Sequence, residues 1–141
     1  NKNQTTIKKL NYLYKKLENA EKKIKTSSAK AKGRSLQYWV CERIAQLFNV
    51  PFNQSDDSGL VQSRPMGQHG VDIILRGEVS DKFPYDIECK CCETLSIPEW
   101  VKQAKANEKE GKNWLVVFKK QSIGEPLVLM DWNTFIKTYK M

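Results

Sequence analysis

Apolar residues in the middle of the chain recur at a helical period. Between residues 35 and 49, spacings of three and four residues place four of them on one helix face. These four residues are Leu36, Val40, Ile44 and Leu47. Ser35 suits the N-cap position, and Pro51 stops a helix because it has no N–H group to donate. The pattern predicts a helix from Ser35 to Asn49 with one buried face.

After residue 70 the pattern becomes that of strands. Short apolar runs bounded by turn residues predict four strands, at residues 71–75, 85–92, 114–118 and 127–130. A turn is expected at 77–81, a helix from Ser96 to about Glu110, and a closing helix capped by Asp131. This order predicts an α/β fold in which helices flank a mixed central β-sheet.

The segment before the first predicted strand has a different composition. Residues 53–70 are dense in Asn, Ser, Asp, Gly and Pro, which predicts a long loop. Such a loop is uncommon inside a compact domain unless it has a function. We therefore expect this loop to contribute to function.

A weaker helical stripe occupies residues 1–32, among many lysines. Its apolar members are Ile7, Leu10, Leu13, Tyr14, Leu17 and Ile24. Thr26–Ser28 and Gly33 are expected to interrupt it. The stripe is expected to dock on a partner or on a second copy of the chain, or else to be frayed on its own. We predict a helical arm over residues 1–34 and a folded domain over residues 35–141.

The charge of the chain is concentrated in that arm. Residues 1–34 carry eleven Lys or Arg against two Glu, whereas the remainder carries thirteen basic and fourteen acidic side chains. A basic arm on a near-neutral body favours a polyanionic partner, either nucleic acid or an anionic surface. The alternative is a solubilising tail without a partner.

The positions of the cysteines and the hydropathy of the chain disfavour a disulfide-bonded protein, a zinc protein and a membrane protein. Three of the four cysteines crowd into one short segment, which does not suit a disulfide framework and indicates reduced thiols. Their positions are Cys41, Cys89, Cys91 and Cys92. The same crowding disfavours a zinc site, which takes paired ligands from separated segments. Because no apolar run is long enough to span a bilayer, no membrane association is expected, and the cytosol is the expected location.

Candidate chemistry lies on two of the predicted strands. Side chains alternate along a strand, so Glu88 and Lys90 share one face of the strand at 85–92. Asp72 lies inside an apolar run, and if the two strands are neighbours it converges with Glu88. Two carboxylates suit Mg²⁺, and a lysine beside them suits the stabilisation of a developing negative charge. A structural ion pair is the alternative for Glu88 and Lys90.

These residues resemble a known signature. Fifteen residues separate Asp72 from Glu88 and one separates Glu88 from Lys90, a pattern similar to that of the PD-(D/E)XK nuclease superfamily. Lys32-Gly33-Arg34 followed by Glu42 resembles the opening of archaeal-type and phage Holliday-junction resolvases. The resemblance covers about residues 32–120 and implies a restriction-endonuclease-like core. Residues 35–141 would then be the nuclease domain.

The resemblance also implies roles for individual residues. Asp72 and Glu88 would bind the metal together with Glu42 and the backbone carbonyl of Cys89. Lys90 would be catalytic, and Gln103 lies where several members of the superfamily carry a glutamine or tyrosine near the site. The candidate nucleic-acid contacts are Lys30, Lys32, Arg34, Ser63, Arg64 and His69.

The chain departs from the pattern in three ways. No proline precedes Asp72, the archaeal resolvases lack an arm of this length, and the serine that they carry before the aspartate has no single counterpart, with Ser63 the best match and Ser58 the next. The expected function is a DNA endonuclease dependent on Mg²⁺, with Mn²⁺ as substitute, acting as a homodimer on branched DNA without a small-molecule cofactor. Three alternatives stay open: a nicking or restriction-like enzyme reading a short site, a non-catalytic DNA-binding protein, and an interaction protein with a basic arm in which the Glu88 and Lys90 pair is only structural.

Overall fold

The computed structural model describes residues 2–140, except for the side chains of residues 24–26. It has a mixed α/β architecture and divides into two compact units, Asn1–Lys32 and Gly33–Met141. No helix within the described residues has the length and apolar character needed to cross a membrane.

The first helix, α1, extends from Lys2 to Phe48. The predicted interruptions at residues 26–28 and at Gly33 are therefore wrong, and Ser35 lies inside the helix instead of capping it. Serine costs only a few tenths of a kcal/mol inside a helix and glycine about 1 kcal/mol, and the helix continues through both. The predicted place of Ile24 in the apolar stripe lies outside the described side chains. Asn49, with a φ of 52°, ends α1 one residue earlier than expected.

Two short strands follow, β1 at Val61–Ser63 and β2 at Ile73–Leu75. They pair antiparallel, with Val61 opposite Leu75. The sequence predicted only a loop at 53–70, so β1 corrects that prediction. The turn expected at 77–81 is likewise a short helix, α2, at Gly77–Lys82. Both elements are too short, and too polar on average, to produce a periodic signal.

The other elements follow the predicted order. Strand β3 (Tyr85–Cys91) pairs parallel with β4 (Asn113–Lys119), and β4 pairs antiparallel with β5 (Leu127–Leu129). Helix α3 (Ile97–Asn107) connects β3 to β4, and it ends three residues before the predicted end at Glu110. Helix α4 (Trp132–Tyr139) closes the fold. The coarse prediction of a mixed α/β fold is confirmed. The single central sheet is not, because the described strands form two sheets, β1–β2 and β3–β4–β5, and the strand predicted at 71–75 begins only at Ile73.

Two apolar clusters lie on opposite faces of the β3–β4 pair. On one face, Ile87 and Leu115 pack with the part of α1 that begins at Leu36. On the other face, Val116 packs with Trp100 and other residues of α3. Glu88 is paired in register with Val116 and so belongs to the α3 side. The strand that carries the candidate residues is thus covered by helices on both faces.

Candidate active site

Asp72 is tied by its backbone and its side chain to the strand that carries Glu88. Its N–H donates to the carbonyl of Ile87 at 3.1 Å, and its Oδ2 accepts from the N–H of Cys89 at 2.7 Å. These two partners flank Glu88 in the sequence. The start of β2 therefore lies against β3, and the two carboxyl groups converge as the sequence analysis expected.

Glu88 has one of the most buried side chains of the domain, with 1% of its surface exposed. Its Oε1 accepts a hydrogen bond from Asn107 Nδ2 at 2.8 Å. Burial raises the pKa of Glu88 to about 7, and repulsion from the Asp72 carboxylate adds to this effect. The Asn107 hydrogen bond and the Lys90 charge act in the opposite direction on the pKa. Near neutral pH, this carboxyl group is therefore poised between its charged and neutral forms.

Lys90 is held by α3 and not by Glu88. Its Nζ donates to Gln103 Oε1, and no ion pair between Lys90 and a carboxylate occurs among the described residues. Gln103 and Asn107 are four residues apart on α3, about 6 Å along a helix, while Glu88 and Lys90 are two residues apart on β3, about 7 Å along a strand. Because the two spacings match, one face of α3 places the Gln103 amide beside Lys90 and the Asn107 amide beside Glu88.

Asp72 and Lys90 open together onto a cavity of about 330 Å³. Its other walls come from α1, from the loop before Asp72 and from β3. The lining residues outside the predicted set are Gly33, Gln37, Pro65, Met66, Gly67, Gln68 and Cys91. Glu88 lies outside this lining because its side chain is covered.

The structure does not bring Glu42 to this cavity. Glu42 is exposed on α1 and is absent from the cavity lining. The α1 residue that does reach the cavity is Gln37, which is 7% exposed and accepts a hydrogen bond from Ser63 Oγ at 2.6 Å. Because successive helix residues are about 100° apart, the step from 37 to 42 moves a side chain well away from this face.

The remaining predicted nucleic-acid contacts are distributed unevenly. Arg64 lines the cavity, Arg34 lines a neighbouring one, and His69 is exposed. Lys30 and Lys32 belong to the other unit of the chain. Within that unit, Lys30 lines a surface groove together with Lys22, Lys23 and Ser27.

Two residues of this site were missed by the sequence analysis, and both left a signal. Asn107 lies one helical turn after Gln103, which was predicted. Gln37 is a polar residue next to Leu36 on the face of α1 that is otherwise apolar. A polar residue at such a position is an indication of a buried polar partner, here Ser63.

Within the part of the chain that the structure describes, no group of three or more His, Cys, Asp or Glu side chains is placed to hold a metal ion. The site offers two converging carboxylates. Hard oxygen donors of this number fit Mg²⁺, which keeps several waters and binds through one or two carboxylates. The thiols do not fit a metal: burial raises the pKa of Cys41 to about 12 and also raises that of Cys89.

Comparison of the chain with protein-family models, with curated proteins and with solved structures finds no match. The resemblance to the PD-(D/E)XK nucleases therefore rests on the motif residues. Their arrangement is a pair of carboxyl groups, one directly before β2 and one on β3, with a lysine on the same face of β3 as Glu88.

Proposed function

We propose that this protein is a metal-dependent DNA endonuclease of the PD-(D/E)XK type that hydrolyses phosphodiester bonds. One observation carries the proposal: Asp72 is hydrogen-bonded to β3 on both sides of Glu88, and it opens with Lys90 onto one cavity. A carboxyl pair can hold a metal ion that assists phosphodiester hydrolysis, and an ammonium group beside it can offset the negative charge that develops on the phosphate.

The chain's own residues would divide the work as follows. Asp72 and Glu88 would hold Mg²⁺, which when bound polarises the phosphate and lowers the pKa of a water molecule. Lys90 would bind a phosphate oxygen and offset the negative charge that develops there. Asn107 and Gln103 would orient Glu88 and Lys90 through the hydrogen bonds that they already make.

The substrate is proposed to be branched DNA, cut by a homodimer in the manner of a junction resolvase. The folded unit Gly33–Met141 has little room for a separate sequence-reading module. Recognition by the shape of the DNA backbone therefore suits it better than recognition of a long base sequence. Two copies would place one site on each of two strands.

The proposal is tested with cleavage assays on linear, nicked, forked and four-way DNA, with Mg²⁺ and with EDTA. Lys90→Ala is expected to lower the cleavage rate by at least about 100-fold, the usual scale for such a group, with little loss of DNA affinity. Asp72→Asn keeps an acceptor for the Cys89 N–H and is expected to abolish Mg²⁺ binding in calorimetry.

Lys102→Ala is the matched control, because Lys102 is an exposed lysine on α3 that does not line the cavity. It should cleave like the unmodified protein. Undiminished cleavage in EDTA would contradict the metal mechanism. DNA binding without cleavage under any metal condition would favour a non-catalytic DNA-binding protein, and cleavage only at a short sequence would favour a restriction-like enzyme.

A further inference from the structure

A second cavity of about 360 Å³ adjoins the one that contains Asp72 and Lys90. The two cavities share four lining residues, Gln37, Arg64, Pro65 and Met66. The second is otherwise lined by Arg34, Tyr38, Gln54, Ser55, Asp56, Asp57, Gln62 and Ser63. A DNA strand that enters the first cavity can therefore continue past Arg64 into the second cavity.

Arg64 is held in place by backbone carbonyl groups and not by an ion pair with a carboxylate. Its Nε donates to the carbonyl of Val71 at 2.6 Å, and its backbone N–H donates to the carbonyl of Asp72 at 2.8 Å. Its guanidinium lies over Gly70, where a Cβ atom, if the residue had one, would come within 2.9 Å of Arg64 Cζ. Among the described residues, no carboxylate lies within ion-pair distance of this guanidinium. A half-buried, preoriented guanidinium with free N–H groups suits a phosphate oxygen.

The second cavity combines an aromatic ring with amide groups. Tyr38 is half-buried, and its ring is tilted against Phe52 with 6.3 Å between the ring centroids. Gln37 uses its Oε1 to accept from Ser63, which leaves its amide N–H groups available as donors. Gln54 adds an exposed amide from the loop. Nucleobases stack on aromatic rings, and side-chain amides bind their edges.

The loop that forms one wall of this cavity is held in place by Arg76. Its guanidinium donates to the carbonyls of Gly59 and Asp57 and to Gln62 Oε1, at 2.8, 3.2 and 2.7 Å. Asp56 closes a local turn by accepting from the N–H of Ser58 at 2.9 Å. The cavity wall is therefore fixed before any ligand binds, which lowers the entropic cost of binding.

We propose that the second cavity binds one unpaired nucleotide of the DNA strand next to the phosphate that is cut, with Arg64 bound to the phosphate between them. This inference rests on the proposed nuclease function and specifies its substrate. The volume lies in the range of about 300–1,000 Å³ that is usual for small-ligand sites. A base that is stacked and paired within a duplex cannot enter such a cavity, whereas an unpaired base at a flap or at an opened branch point can. The preference for branched DNA thus arises in this cavity.

The test is binding by fluorescence anisotropy in EDTA, where no cutting occurs, to a blunt duplex and to the same duplex with a short single-stranded flap. The unmodified protein is expected to bind the flapped duplex at least about 5-fold more tightly, the lower end of what stacking of one base contributes. Tyr38→Leu and Gln54→Ala are expected to remove most of this preference and leave binding to the blunt duplex unchanged. Arg64→Gln is expected to weaken binding to both duplexes by about 10-fold, through loss of a charged hydrogen bond.

The controls change the same residue types at places that line neither cavity. Arg43→Gln removes an exposed arginine from α1, and Tyr139→Leu removes an exposed ring from α4. Equal affinity of the unmodified protein for the two duplexes would overturn the inference, and so would a preference retained in both Tyr38→Leu and Gln54→Ala. Gln54 is exposed, so its variant decides the matter even if Tyr38→Leu does not fold. Mg²⁺-dependent cleavage without flap preference would overturn this inference alone, whereas the absence of any cleavage would overturn the proposed function.

Discussion

Glu88 shows how a charged residue is accommodated at the centre of this fold. Only 1% of its surface is exposed. Among the described residues, Asn107 is the one residue whose side chain donates a hydrogen bond to the Glu88 carboxyl group. Burial without a full set of donors disfavours the carboxylate form, which is why its pKa is raised to about 7. The residue is therefore held in an arrangement that disfavours its own negative charge.

The raised pKa makes the stability of the domain depend on pH. The folded protein holds the Glu88 proton up to about pH 7, whereas the unfolded chain loses it near the ordinary glutamate pKa of 4.5. Stability from this group is therefore fully present below the unfolded pKa and is lost as the pH rises through the folded pKa. Glu88→Gln removes the effect and keeps an acceptor for Asn107. At about pH 8 we expect this variant to unfold at a higher urea concentration than the unmodified protein. The expected gain in the free energy of unfolding is on the order of 2 kcal/mol after screening by solvent.

The same comparison at low pH and with Mg²⁺ completes the test. At about pH 5 the two proteins should differ by much less, because Glu88 is then neutral in the folded state. Addition of Mg²⁺ at about pH 8 should stabilise the unmodified protein more than the variant. Glu93→Gln, at an exposed position, is the control and should follow the unmodified protein. A Glu88→Gln variant that is less stable at about pH 8 would contradict this account.

At the scale of elements, sequence patterns were informative where one face of an element is buried. The alternation of β3 and the apolar face of α1 after Leu36 predicted their positions because each meets a large apolar cluster. Strand β1 and helix α2 were not predicted, since their three and six residues depend on tertiary pairing. Strand β1 is held by β2 and by the Ser63 hydrogen bond to Gln37, and neither is visible in local sequence.

The residues of the candidate site could likewise be predicted only where they lie in an element with a clear apolar pattern. Asp72, Glu88 and Lys90 were found because polar residues interrupt apolar strands. Glu42 was implied by the resemblance to the resolvases, but it is exposed and does not line the cavity, whereas Gln37 does. Which face of α1 meets the loop at Ser63 depends on the packing of segments that are distant in the sequence. The sequence pattern therefore could not show that Gln37, and not Glu42, lines the cavity.

Two helix starts give a matched test of capping. Asp131 caps α4, because its Oδ1 accepts from the N–H of Thr134 at 2.7 Å. Ser96 occupies the same position before α3, but its side chain makes no capping hydrogen bond. Asp131→Ala is expected to lower the free energy of unfolding by about 1 kcal/mol. Ser96→Ala should change it by less than about 0.5 kcal/mol, as at an ordinary surface position.

Urea denaturation followed by tryptophan fluorescence measures both changes. Trp132 lies in the first turn of α4 and Trp100 in α3, so the signal covers both helices. Equal losses for the two variants would show that the observed difference in capping has no energetic weight.

At the scale of the whole molecule, charge is divided between the two units. Asn1–Lys32 carries ten lysines against two glutamates, whereas Gly33–Met141 carries fourteen basic and fourteen acidic side chains. The unit that contains the candidate site is therefore neutral overall, and that site gathers carboxylates. For the proposed DNA substrate, long-range attraction to the phosphate backbone would come from the lysine-rich helix.

Deletion of residues 1–31 tests this division. We expect the remaining protein to fold, because the apolar cluster on α1 begins at Leu36. It should bind DNA more weakly at low salt, with a shallower dependence on salt, since each phosphate contact contributes about −0.9 to the slope of log affinity against log salt concentration. The loss should be similar for different base sequences. An unchanged slope in a folded truncated protein would contradict the electrostatic role.

The apolar residues of the same helix give the alternative outcome. Among the described side chains of this unit, six large apolar ones are at least half exposed: Ile7, Leu10, Tyr12, Leu13, Tyr14 and Leu17. If they bind a second copy of the chain, the deletion converts a dimer into a monomer. Light scattering in the absence of DNA separates this effect from the loss of phosphate contacts.

The contact between Arg64 and Gly70 has a consequence for how the protein can change during evolution. Any side chain at position 70 meets two penalties, a backbone φ of 116° and a collision with the Arg64 guanidinium. Loss of Arg64 removes the second penalty, whereas loss of Gly70 displaces Arg64 at once. The two positions are therefore epistatic, and the order of their mutations matters: a lineage can lose the arginine first and the glycine later, but the reverse order disrupts both together.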